Sequence, residues 1–162
     1  MKKNVLILIF ILVSCWCGKV HSQDAMFKAL FIYNFTKYVE WPEQTTANPD
    51  FVITVLGSPE IFNELNKITK TKKVGLQDIV VKKTNSLQKI ADSHILFLSQ
   101  GKSALLNEVI DLTAGKSILV VTDNPGLAKK GADINFITVE GKQRFEINRQ
   151  SMSDRGLKMS SE

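Results

Sequence analysis

Residues 94–121 read HILFLSQGKSALLNEVIDLTAGKSILVV. The runs Ile95-Leu96-Phe97-Leu98 and Ile118-Leu119-Val120-Val121 carry no polar alternation, which is what a strand covered on both faces requires. Between them, residues 103–112 have helical spacing. A strand, a helix and a second strand in this order specify a crossover unit and hence a parallel sheet. The same rhythm extends towards the N-terminus, with strands expected at 51–56 and 79–81, a helix at 59–68 and a short helix at 87–91. Beyond Asp123 the pattern changes. Strands at 134–139 and 144–147 flank Glu140-Gly141-Lys142-Gln143, a hairpin signature that adds antiparallel strands to the parallel sheet. A final alternating segment, 157–160, is suited to pairing at an edge. The reading is one α/β domain with a mostly parallel sheet and a C-terminal antiparallel hairpin.

Ahead of the sheet, residues 23–41 predict a helix that Pro42 stops. Phe27, Leu30, Phe31, Phe35, Tyr38 and Trp41 fall on one arc. Asn34 projects into that arc, where a buried amide is costly unless hydrogen-bonded, so Asn34 and Trp41 are read as structural residues. Met26 and Tyr33 fall on the opposite side with Lys37, where incidental exposure is expected.

The chain has 162 residues and a formal charge of +5. Lys2 and Lys3 precede nine unbroken apolar residues, Val5 to Val13, and Val20-His21-Ser22 offers a cleavage site. This is the pattern of an export signal over residues 1–22, too short to span a bilayer. The expected division is therefore 1–22 as signal and 23–162 as one domain. Removing residues 1–22 takes away Lys2, Lys3 and Lys19 and no acid, so the charge falls to +2 and the case for a nucleic-acid partner disappears. Cys15 and Cys17 leave as well, so no disulfide or thiol chemistry remains. Leu12-Val13-Ser14-Cys15 also resembles a lipobox, in which Cys15 would be acylated and anchor the domain to a membrane.

Groups that carry catalysis are sparse. Gly101-Lys102-Ser103 and Gly115-Lys116-Ser117 lack the earlier glycine of a phosphate loop and are read as a helix entry and a helix exit. His94 has no cysteine or second histidine with which to hold a metal, so neither a metal nor a cofactor is expected. Asp123 is read as a helix cap or turn former.

Several stretches together resemble one family. Lys28-Ala29-Leu30-Phe31-Ile32-Tyr33-Asn34-Phe35-Thr36-Lys37-Tyr38-Val39-Glu40-Trp41-Pro42 is similar to the opening helix of the YfiR family of bacterial periplasmic proteins. Similarity continues in 51–57, 93–99 and Val121-Thr122-Asp123 through Gly126 and Gly131. It closes with Arg144-Phe145-Glu146-Ile147-Asn148 and Gly156-Leu157-Lys158-Met159-Ser160-Ser161. The resemblance implies a three-layer α/β sandwich without enzymatic activity, located in the periplasm. It also implies a partner, the periplasmic part of an inner-membrane diguanylate cyclase or sensor kinase, and through it control of cyclic di-GMP and biofilm formation. A second copy of the chain is a further expected partner.

Arg144, Glu146 and Asn148 share one strand face. The expected partner surface combines Glu146 and Asn148 with Leu157, Lys158 and Met159, on the ground that an edge strand leaves apolar side chains free. The alternative is a small-molecule sensor, with its ligand at the carboxyl ends of the parallel strands near Ser99, Gln100, Thr122 and Asp123.

Overall fold

A computed structural model describes residues 17–42 and 49–160, with side chains from residue 23 onward. Most of the expected export signal, the lipobox and most of the polar turn after Pro42 lie outside the described residues. The chain runs through helix α1 (Cys17–Tyr38), β1 (Val39–Glu40), β2 (Asp50–Leu56), α2 (Pro59–Thr69), β3 (Lys73–Val74), β4 (Gln77–Thr84), β5 (Ile95–Leu98), α3 (Leu106–Thr113), β6 (Leu119–Thr122), β7 (Ile134–Val139), β8 (Lys142–Ile147), α4 (Arg149–Asp154) and β9 (Lys158–Met159). Short 3-10 turns occupy Leu87–Lys89, Gln100–Leu105 and Ala128–Lys130.

Seven strands form one sheet in the order β3-β4-β2-β5-β6-β7-β8. The five central strands are parallel; β3 and β8 add antiparallel edges. The expected parallel sheet and C-terminal hairpin are both present. The hairpin is tighter than the four-residue loop expected. β8 begins at Lys142, leaving Glu140 (φ 52°) and Gly141 (φ 73°) as a two-residue turn with both φ angles positive, the geometry that matches strand twist.

Alternate side chains of the sheet feed two cores. Phe51, Ile53, Val55, Ile95, Phe97, Leu119, Val121, Ile134 and Phe136 face α1 and α2. Leu56, Leu96, Leu98 and Val120 face α3 and the 3-10 turns, through Leu106, Val109 and Leu127. This is the three-layer sandwich. Every residue of β5 is fully buried, as the unalternated sequence requires.

Local chemistry sets the boundaries. Ser58 accepts the Ile61 N–H at 3.3 Å and Pro59 opens α2, a capped start with proline in the first turn. The helix expected over 103–112 is a 3-10 turn, Gln100–Leu105, that widens into α3.

The arc expected on α1 is rotated in the structure. Ala25, Ala29, Ile32, Phe35 and Thr36 are buried, whereas Leu30 and Tyr38 are 46% and 45% exposed. Tyr33, expected on the open side, is buried where α2 packs along α1, and the Lys37 ammonium lies 4.9 Å from its ring centroid. Asn34 is half-buried at the border of the exposed face rather than central to the packed one. Trp41 stands edge-to-face on Phe51 at 5.1 Å.

The segment expected to pair at the sheet edge pairs elsewhere. β9 lies antiparallel to β1, with Val39 opposite Met159 and Glu40 opposite Lys158, and the Ser160 N–H donates to the Tyr38 carbonyl at 2.7 Å. This pairing draws Val39 and Glu40 out of α1 and ends the helix before Pro42 is reached.

Candidate functional site

The C-terminal corner is organised by α4, a helix the sequence pattern does not announce. Asn148 starts it, accepting the Ser151 N–H at 3.0 Å and donating through its amide to the Ala128 carbonyl at 2.8 Å. Gly156 (φ 72°) ends it. The Gly156 N–H donates to the Ser153 carbonyl and the Leu157 N–H to the Met152 carbonyl, both at 2.9 Å, which is the double closure of a Schellman motif. That motif turns Leu157 inward onto Met152, and the two are 1% and 2% exposed. The expectation of a free Leu157 side chain is thereby corrected.

A buried polar network fixes the corner to the sheet. Asp133 accepts the Val120 N–H at 2.7 Å and the Ser151 hydroxyl at 2.6 Å, and it pairs with Arg155 at 3.3 Å. Arg155 donates in turn to the Thr113 hydroxyl and carbonyl at 2.8 and 3.1 Å. Each charged group is both paired and hydrogen-bonded, the condition under which charges are tolerated in a core. Neither Asp133 nor Arg155 stood out in the sequence, because a lone charge in a polar stretch carries no periodic signal.

Three clefts surround α4. One of about 450 Å³ is lined by Lys129, Glu146, Asn148 and Arg149. A second, of about 290 Å³, is lined by Arg149, Met152, Leu157, Lys158 and Met159. The third, of about 410 Å³, includes Lys129, Gln150, Asp154 and Arg155. The five residues expected to meet a partner are thus gathered on adjoining clefts that share Arg149, an exposed cation not singled out in the sequence. Glu146 is also held from behind: Thr122 Oγ1 donates to Asn135 at 2.7 Å and the Asn135 amide donates to Glu146 at 3.2 Å.

At the carboxyl ends of the parallel strands, Ser99 and Asp123 follow the neighbouring strands β5 and β6. The Lys28 ammonium lies 3.0 Å from Asp123 and 2.8 Å from Asp24, so Asp123, at the head of the turn that follows β6, also ties α1 to the sheet. Burial pushes the Asp123 carboxyl above its ordinary range, with Lys28 offsetting only part. Burial opposes the charge on Lys28, but its hydrogen bonds and attraction to Asp24 and Asp123 outweigh it and hold that ammonium up. Ser99 Oγ and Asp123 Oδ1 are buried without a hydrogen-bond partner among the described residues. Thr122 is buried and engaged with Asn135, and Gln100 is exposed. Gly57 (φ 90°) brings the end of β2 so close that a Cβ there would stand 2.5 Å from Ser99 Oγ and Lys102 Cγ.

His94 serves the fold: its Nδ1 accepts the Val52 N–H at 3.0 Å and its ring stacks on Phe51 at 4.5 Å. Among the described residues no group of three or more His, Cys, Asp or Glu is placed to hold a metal ion, and no helix is long and apolar enough to cross a membrane.

Fold and corner together define a class: a three-layer α/β domain whose densest polar construction holds up a surface. Residues 25–162 match the YfiR/HmsC-like family, and the chain belongs to that family. No curated protein shows a significant match to the sequence.

Proposed function

We propose that this protein is a periplasmic, non-catalytic regulator that binds the periplasmic part of an inner-membrane diguanylate cyclase through the α4 corner and restrains cyclic di-GMP synthesis. The observation that carries the reading is the convergence of Glu146, Asn148, Arg149, Lys158 and Met159 on clefts around one short helix in a YfiR/HmsC-like chain. A protein on one side of a membrane alters an active site on the other only by binding one conformation of its partner more tightly. Tenfold restraint needs about 1.4 kcal/mol of such preference.

The test is crosslinking capture of the cyclase, with cellular cyclic di-GMP as second readout. Arg149→Glu combined with Lys158→Gln changes two exposed side chains without setting a second acid opposite Glu40, and should leave the melting temperature unchanged while abolishing capture and raising cyclic di-GMP. Undiminished capture by the folded variant refutes the surface. Recovery of a sensor kinase instead of a cyclase replaces the partner and keeps the binding role.

The unpartnered buried hydroxyl of Ser99 favours a second reading, a small polar ligand at the carboxyl ends of the strands. Thermal stabilisation by one compound from a metabolite panel, lost in Ser99→Ala, supports it. Uniform melting curves across the panel dismiss it.

A further inference from the structure

The β3–β4 hairpin ends in a feature that neither the core nor the α4 corner uses. Val74 pairs with Gln77, leaving Gly75 and Leu76 as the apex. Gly75 (φ 58°) supplies the positive φ that such a turn needs at its first position. The second position has no need of leucine and ordinarily takes a small polar residue. Leu76 nevertheless occupies it and is 96% exposed, far beyond Met26 at 54%, the next among the described large apolar side chains.

Lysines collar this tip. Lys67, Lys70, Lys72 and Lys73, on the segment that leads into it, are exposed. The nearby acids are already committed, Glu64 to Lys67 and Asp78 to Lys73, each at 2.7 Å. Lys70 and Lys72 form no ion pair among the described residues and stand as surplus charge. From Glu64 to Asp78 four lysines face two acids, a charge of +2, as much as residues 23–162 carry as a whole. The domain is therefore electrically lopsided, with its positive end at this edge.

We propose that the β3–β4 tip docks on an anionic phospholipid surface, Leu76 entering the headgroup boundary while the lysines lie on the charged plane. The shape favours lipid over an acidic protein. A single convex apolar tip offers a partner protein no pocket or flat desolvated patch, but it suits a soft interface into which one side chain sinks. Lysine stems can lie along the apolar boundary while their ammonium groups remain in water. The orientation fits the α4 corner as well. The hairpin apex and α4 lie at opposite edges of seven strands, roughly 29 Å apart across the sheet at about 4.8 Å per strand, and are staggered along it by several residues. Lipid and partner contacts can form together.

The test is co-sedimentation of the full chain with phosphatidylcholine vesicles and with vesicles containing a third phosphatidylglycerol. Any binding through residues 1–22 is common to all variants, so the comparison between variants reports the tip. Lys70→Gln with Lys72→Gln should weaken partition onto anionic vesicles roughly 25-fold, at about fivefold per lysine. Leu76→Ser should weaken it about tenfold. Both variants should melt as the wild type does, and wild-type binding should fall at high salt. Unchanged partition of both variants, or equal loss on neutral and anionic vesicles, overturns the proposal. Retention on immobilised polyglutamate with no preference for anionic vesicles overturns it in favour of an acidic protein.

Discussion

Leu157 shows how one residue's role is set by a neighbour. In Leu157-Lys158-Met159-Ser160 the alternation is that of a strand with one apolar face, and nothing in those four letters says whether the face is covered. The deciding residue is Gly156, whose left-handed backbone closes α4 and points the next side chain at Met152. Leu157→Ala should cost about 2–4 kcal/mol in chemical denaturation, the range for emptying a buried leucine site. Lys158→Ala, one residue on and exposed, should stay within about 0.5 kcal/mol. Equal small losses at both positions would mean that Leu157 is not core. Asp133 and Arg155 were illegible for a related reason: their meaning lies in each other, across 22 positions of sequence, and no local spacing records it.

At the scale of elements, legibility follows coverage. β5 and β6 lie between two helical layers and show it as unbroken apolar runs. The β7–β8 hairpin shows itself through Glu140-Gly141, where only a tight turn tolerates two positive φ angles in succession. α1 is apolar on nearly all sides, because it packs against the sheet, α2 and the β8 aromatics at once. Phe31, for example, meets both Phe136 and Phe145. A helix with no clearly polar face gives a poor arc to read, so the open side expected for Met26 is right while Leu30 and Tyr38 are expected on the packed side and Tyr33 on the open one. α4 is shorter than two turns and has no period to detect. Its start, however, has a testable hold. Asn148→Ala removes both the cap and the bond to Ala128 and should cost about 2 kcal/mol, whereas Asn148→Asp keeps the cap acceptor, loses the donor to Ala128 and should cost about half as much. Urea denaturation separates the two, and identical losses would mean that capping contributes nothing.

Across the whole molecule, Lys28 and Asp123 join the first helical layer to the sheet, and their chemistry makes that junction sensitive to acidity. The Asp123 carboxyl titrates above 3.8 in the folded protein because it is buried. As pH rises through 3.8 towards its raised value, the unfolded chain releases the proton first, and the folded state loses stability relative to it. Asp123→Asn has no such proton to lose. The stability of the wild type minus that of Asp123→Asn should therefore shrink as pH increases across this window, read from urea midpoints. A difference that is flat or grows with pH refutes the assignment.

The pairing of β9 with β1 has a consequence for synthesis. The surface around α4 is assembled from residues 146–159, and it is pinned by a strand that closes the opening helix more than 100 positions earlier in the sequence. A polypeptide that lacks its last residues cannot assemble this surface. The surface is complete only when the last strand clips onto the first, so on the function proposed above an unfinished molecule offers a partner nothing to hold.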